Sequence, residues 1–350
     1  MGNINLLAID LAKNIFQLHG LDKQGNCVLK QRLTRDKLVE VISTLPSCRI
    51  VMEACGSANY WTRVFKRLGH EVDLISPQYV KPFVKGNKTD RNDSEAIAEA
   101  ASRPSMRYVE PKTIEQQDIQ CLLRIREQLI AERIALSNQT RGFLAEYGIT
   151  INQGVAAFRQ RIPIILENKQ NELTDLMRHH VQRLYNRFCA LETEIHVYDK
   201  AIQSACKLSE SAQKIMQIDG VGPMIAASIL SLGDLKRFKN GRHFSAFLGL
   251  VPREKSSGNK QIRLGMSRRG DSYVRQLLMH GARSVLIRVN KKDTAQSQWL
   301  KNLVARKGVN KATGALANKI ARHIWAVITQ EGCYDRNKGY GNAKAITIAA

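Results

Sequence analysis

The shortest gap in the chain does the most to limit its fold. An apolar run from Ile4 to Asp10 is followed, after only four residues, by a second run from Ile15 to Leu21. Four residues cannot hold a helix, so the two runs pair as antiparallel neighbours. A Gly25-Asn26 turn then leads into a third run, Cys27–Leu33. Beyond it the pattern alternates: a helical stretch around Arg35–Leu45, a strand at Arg49–Glu53, a helix over Tyr60–Leu68, a strand at Glu71–Ser76, a Lys- and Gly-containing loop, and a helix beginning near Asp90. A sheet wound with a helix after every strand, as in flavodoxin-like folds, is excluded by that first gap.

Three hairpin-linked strands followed by helix, strand, helix, strand and helix is the order of a ribonuclease-H-like sheet. In such a sheet the first and fourth strands are neighbours, and the following helix packs across their ends. Asp10 ends the first strand and Glu53 the fourth, each closing an apolar run that would otherwise bury it. Asp90 and Asp93 stand three apart on the opening turn of the helix and share one face. Four converging carboxylates either raise one another's pKa or bind hard divalent cations. Two Mg²⁺ ions about 4 Å apart, clamping a phosphodiester, is the chemistry that such a set serves. Taken singly, Asp90 and Asp93 also suit a helix N-terminus, and Asp10 a turn.

The middle of the chain is helical. Leu122, Leu129, Leu136 and Phe143 recur every seven residues. Met177, Val181, Leu184, Phe188, Leu191, Ile195, Tyr198 and Ile202 follow a 4-3-4-3 spacing. That is the seam of a coiled coil or of a long antiparallel helix pair, with a break between two helices near Gly148–Gly154.

Charge separates the ends. Residues 1–100 hold 14 Lys and Arg against 11 Asp and Glu, a net of +3, whereas residues 236–350 hold 24 against 5, a net of +19. A folded segment so one-sided repels itself unless a polyanion neutralises it, and nucleic acid is the usual polyanion. No apolar run is long enough to span a membrane, and Asp10 interrupts the only candidate for a signal peptide. Seven irregularly spaced cysteines, with no CxxC pair, indicate reduced thiols in a cytoplasm rather than disulfides or zinc.

Two groups of glycines mark the basic region. Ile218-Asp219-Gly220-Val221-Gly222-Pro223 has the form of a helix-hairpin-helix, in which Gly220 and Gly222 let backbone amides approach a phosphate. A tight turn between packed helices is the plainer alternative. A dinucleotide fingerprint is excluded, because the third glycine is missing and a helix precedes the motif. Farther on, Pro252-Arg253-Glu254-Lys255-Ser256-Ser257-Gly258 and Ser267-Arg268-Arg269-Gly270 set serines among arginines in basic loops. By chemistry alone Ser256, Ser257 and Ser267 are equal candidates for a nucleophile.

Together these residues resemble a known family. Asp10, Met52-Glu53-Ala54-Cys55-Gly56 and Asn87-Lys88-Thr89-Asp90-Arg91-Asn92-Asp93, followed by the glycine motifs and Phe247-Leu248-Gly249-Leu250-Val251-Pro252-Arg253, are similar to the DEDD transposases of insertion-sequence family one-ten. The resemblance runs over about residues 4–330. It implies a RuvC-like nuclease domain at 1–108, a coiled-coil arm at 109–207, a mainly helical basic transposase domain at 208–330 and a flexible tail at 331–350. It further implies Mg²⁺ held by Asp10, Glu53, Asp90 and Asp93, and a nucleophilic serine that maps to Ser257 before Gly258, with Ser256 one residue away. Lys88, Arg91, Arg253, Lys255, Arg268 and Arg269, with Gly220 and Gly222, would contact nucleic acid. The partners implied are donor and target DNA, a structured bridge RNA that pairs with both, and further copies of the chain as a dimer or tetramer. The place of action is the bacterial cytoplasm, on the nucleoid when bound to DNA. Two other readings fit parts of this pattern. One is a Holliday-junction-resolvase-like nuclease that activates water and leaves the serine idle; the other is a nucleic-acid scaffold whose carboxylates merely cap helices.

Overall fold

The computed structural model describes residues 4–85, 90–258, 260–291, 294–330 and 334–335. The chain divides into two compact units, Met1–Ile114 and Glu115–Ala350.

The first unit is α/β. Its elements are β1 (Leu6–Asp10), β2 (Ile15–Leu21), β3 (Cys27–Thr34), α1 (Arg35–Thr44), β4 (Arg49–Glu53), α2 (Ala58–Arg67), β5 (Glu71–Ile75), α3 (Pro77–Val80), α4 (Asp90–Ala101) and β6 (Tyr108–Val109). They form a six-stranded sheet in the order β3-β2-β1-β4-β5-β6. β2 is antiparallel to β1 and β3, while β4 runs parallel to β1 and β5. The hairpin that the four-residue gap requires is therefore present, and the first and fourth strands are neighbours. Sequence reasoning missed β6 and α3, which at two and four residues are too short to show a period.

Side-chain alternation sorts the strands onto two faces. Leu7, Ile9, Ile50, Met52 and Leu74 meet Leu38 and Ile42 of α1 and Trp61 and Phe65 of α2. Leu6, Ala8, Val51 and Ile75 meet Ala96, Ile97 and Ala100 of α4. The alanines let α4 lie close against the sheet. Asp10 and Glu53 fall in step with Ala8 and Val51, so both belong to the face that α4 covers.

The second unit begins with α5 (Ile114–Ala145), α6 (Val155–Glu167) and α7 (Asp175–Leu208). α5 and α7 run antiparallel within one chain. Arg126 is ion-paired with Asp199, and Arg133 with Glu192 at 3.4 Å, so seven steps forward on one helix match seven steps back on the other. Val181, Phe188, Leu191, Ile195 and Ile202 of the seam are buried.

Two expectations for this region need correction. The heptad on α5 fails at both ends: Leu123 is buried where Leu122 is only partly so, and Phe143 is 42% exposed with Leu144 buried in its place. A straight helix turns every 3.6 residues, so a strict seven-residue repeat drifts by about 20° per heptad and does not keep one face inward along the whole of α5. The break near Gly148–Gly154 is present, but a second one follows α6. There Asn168 and Asn171 accept hydrogen bonds from the N–H groups of Gln170 and Leu173, and Thr174 caps α7, giving three helices rather than two.

The remainder holds α8 (Glu210–Met216), α9 (Pro223–Leu230), α10 (Gly241–Phe247), β7 (Pro252–Glu254), β8 (Arg263–Met266), α11 (Ser272–Ile287), α12 (Ala295–Lys307) and α13 (Val309–Thr329). Ala226, Leu278, Ala282, Leu316 and Ile320 are at its core. The serine-bearing loop is framed by two short strands: β7 and β8 pair as an antiparallel hairpin, and Ser256 and Ser257 lie in the connection between them. Of the segment 331–350, expected to be flexible, only Tyr334 and Asp335 lie within the described residues; Tyr334 packs edge-on against His323 at 5.5 Å. Among the described residues no helix is long and apolar enough to cross a membrane, and the six cysteines described are free.

Candidate active site and nucleic-acid interface

Asp10 and Glu53 stand one step beyond the Ile9–Met52 pair that ends the parallel register of β1 and β4. Both are half-buried. The neighbouring Cys55 thiol is held above its ordinary value, first by desolvation and then by the negative charges of Glu53 and Asp10. The two carboxylates thus act on the same point. α4 packs on β1, β2 and β4. Asp93, half-buried in its first turn, shares a helical stripe with Ile97 and Ala100, which face the sheet. Asp90 opens the same helix, but its side chain, that of Arg91 and the whole of Lys88 lie outside the described residues. Among the described residues no three of His, Cys, Asp and Glu come near enough to share one metal ion.

In the second unit Ser256 and Ser257 stand in different surroundings. The Ser256 hydroxyl donates to Glu254 Oε1 at 2.7 Å. Ser257 stands at the hairpin turn, exchanging backbone hydrogen bonds with Lys260 at 3.3 and 3.2 Å, and is exposed. Gly258 follows with φ +56°, a left-handed conformation that explains a glycine directly after the serine. Arg253 in β7 and Lys255 just after it are exposed.

The root of this hairpin is tied by two close backbone contacts. A Cβ on Gly249 would come within 2.0 Å of the Arg269 carbonyl oxygen, and one on Gly270 within 1.9 Å of that of Phe247. The Ser267 N–H donates to the Val251 carbonyl at 2.8 Å, and Asn318 of α13 reaches the Leu250 carbonyl at 3.1 Å. The two motifs Phe247–Arg253 and Ser267–Gly270 are thus one interlocked turn, which leaves Arg268 and Arg269 exposed. The glycines of the α8–α9 hairpin divide in role. Gly220 packs on Gly281 of α11, whose own Cβ would come within 2.1 Å of the Gly220 carbonyl oxygen, whereas Gly222 faces open space at the N-terminus of α9.

A crowded basic cluster on α13 escaped sequence reasoning. Lys319 is lowered to about 8 by burial and by Arg322, and His323 to about 4 by burial and then by Lys319 and Arg322. Lys319 Nζ also lies 4.4 Å over the Trp299 ring. Its members are spaced like any helical face, so only what packs on them distinguishes them: Trp299 of α12 on Lys319, Gly241 of α10 on Arg322 and Tyr334 on His323.

Comparison with known proteins decides what these parts belong to. Residues 7–149 match a family model described as "Transposase" of the DEDD IS110 type, and residues 212–298 match the "Transposase IS116/IS110/IS902 family". Over 335 residues the chain is 46% identical to the transposase for insertion sequence element IS1111A of Coxiella burnetii, covering 95% of this chain and 92% of that one. The chain belongs to the IS110/IS116 family of DEDD transposases. As a transposase it is an enzyme that acts on DNA. It is also 43% identical to a probable family 20 transposase of Pseudomonas aeruginosa over 334 residues, which cover 95% of this chain and 99% of the relative. With the transposase for IS1328 of Yersinia enterocolitica it shares 40% over 332 residues, or 94% and 98% of the two chains.

Proposed function

We propose that this transposase cuts and rejoins DNA through a covalent phosphoserine intermediate, with Asp10, Glu53, Asp90 and Asp93 as ligands for divalent metal and Ser257 as nucleophile. The observation that carries this reading is the placement of Asp10 and Glu53 on neighbouring strand ends, on the face covered by α4, whose first turn contributes Asp90 and Asp93. The donor set is all oxygen, which suits Mg²⁺ and not a soft ion. When bound, Mg²⁺ supplies Lewis-acid stabilisation of charge on the phosphate oxygens.

The serine's part follows the family resemblance, and its exposed place at the hairpin turn supports it. Ser257 Oγ attacks the scissile phosphorus and forms an Oγ–P bond. The P–O bond to one deoxyribose breaks, and the released sugar oxygen takes up a proton in exchange for the one that the serine gives to solvent. Attack on the same phosphorus by the hydroxyl of a partner strand reverses the step, joins the new strands and frees the serine. No external energy source is needed, since each phosphodiester broken is replaced by another ester.

The finer organisation follows the family resemblance. The nuclease domain is 1–108, the coiled-coil arm 109–207 and the basic transposase domain 208–330. In the last, the α8–α9 helix-hairpin-helix offers Gly222, and Arg253, Lys255, Arg268 and Arg269 reach phosphates; Lys88 and Arg91 do so beside the carboxylates. A bridge RNA chooses donor and target by base pairing while the protein supplies backbone contacts, a division of labour used by other guided systems. Copies assemble as a dimer or tetramer in which the serine of one serves the carboxylates of another.

The test uses purified protein, Mg²⁺, end-labelled donor and target DNA and RNA transcribed from the flanks of the element. On a denaturing gel, label should migrate with wild-type protein and with Ser256→Ala, and should be absent with Ser257→Ala and Asp10→Asn. Cleaved DNA without an adduct in any variant would make water the nucleophile and sink the serine route.

A further inference from the structure

The last residue of α10 is an aromatic ring that the fold only half encloses. Phe247 is 41% exposed, although it belongs to a cluster: its centroid is 5.0 Å from that of Phe238, which in turn lies 5.2 Å from the buried Phe244. Arg237 is held against this cluster, its guanidinium 4.8 Å over Phe238 and 5.4 Å over Phe247. A guanidinium nitrogen also donates to the Leu232 carbonyl at 3.1 Å, a second tie on the group. An exposed ring with an arginine fixed beside it is how proteins stack unpaired bases without regard to sequence.

The surroundings favour a nucleotide over a purely apolar partner. The Phe247 carbonyl is the atom that Gly270 must approach without a side chain, so the backbone that carries Arg268 and Arg269, both exposed, runs against the end of α10 where the ring is borne. Arg268 is held there at φ +55°, a conformation that a residue with a Cβ rarely adopts. Its N–H donates to the Gly249 carbonyl at 3.3 Å, within the turn that leads into β7. The ring, the arginines and the root of the serine hairpin are therefore one local structure. Exchanging DNA strands requires bases beside the cut to leave the duplex, and each then exposes a π-face and a flanking phosphate.

We propose that Phe247, backed by Arg237, stacks an unpaired base of the DNA strand being exchanged, and that Arg268 and Arg269 hold its phosphate. The proposal rests on DNA as substrate, which family membership supplies, and is independent of which nucleophile cuts it.

The experiment measures binding alone. Full-length protein is titrated into a DNA duplex that carries 2-aminopurine within a short unpaired stretch, into the same duplex fully paired, and into RNA of the unpaired sequence. Wild type should quench the 2-aminopurine. Phe247→Leu, which keeps an apolar side chain, and Phe247→Ala should lose that quenching and bind the unpaired DNA about tenfold or more weakly, the worth of roughly one stacked base. Both should bind the paired duplex within about twofold of wild type, and Phe247→Trp should restore the quenching. The proposal fails if Phe247→Leu matches wild type on unpaired DNA, if paired and unpaired DNA weaken together, or if only the RNA is affected.

Discussion

At the scale of single residues, the glycines of the basic unit separate packing from recognition. Gly270 has φ +96° and no room for a Cβ, so Gly270→Ala combines backbone strain with a collision and should cost about 3 kcal/mol or more in stability. Gly222 has an ordinary φ of −105° and open space, so Gly222→Ala should shift stability by less than about 1 kcal/mol. Chemical denaturation of the two variants tests the contrast directly. It also marks how far the sequence could be read at this scale. The motifs around Gly220, Gly249 and Gly270 stand out as strings, yet nothing in the strings says that Gly249 meets Arg269 and Gly270 meets Phe247, and Gly281, the partner of Gly220, carries no local signal. Asp10 and Glu53 were legible because a carboxylate at the end of an apolar run contradicts its neighbours. The hydrogen bond from Ser256 to Glu254 was not, since nothing in the local sequence says which of two adjacent hydroxyls a carboxylate engages.

Among the secondary-structure elements, legibility followed period and burial. β1, β4 and α7 each bury enough to leave a clear pattern, and their positions follow from it. β7 and β8 are almost wholly exposed, so no alternation marks them as strands. On α5 the seven-residue repeat persists in the sequence after the helix has rotated away from it. Phe143 and Phe188 make that rotation measurable: both occupy seam positions by spacing, but Phe143 is 42% exposed and Phe188 is fully buried against Phe158 at 4.7 Å. Phe188→Ala should destabilise the helical arm by about 3–5 kcal/mol, while Phe143→Ala should stay within about 0.5 kcal/mol. Thermal melts followed by far-UV circular dichroism would report either change, and equal effects would contradict this packing.

For the whole chain, charge sets how binding responds to salt. The net of +19 over residues 236–350 means that much of the free energy of DNA binding comes from counterion release. Raising monovalent salt from about 50 to 200 mM should weaken binding by roughly a thousandfold if six or more phosphates are contacted. Fluorescence anisotropy with a labelled duplex gives that slope, and a flat response would mean that the positive surface is not the DNA-binding one. The antiparallel pairing of α5 with α7 bears on a different whole-molecule quantity. Because both halves of the seam come from the same polypeptide, its equilibrium carries no protein-concentration dependence. Dilution that drives copies apart leaves the arm closed, and any assembly of copies draws its mass-action stability from surfaces other than this seam.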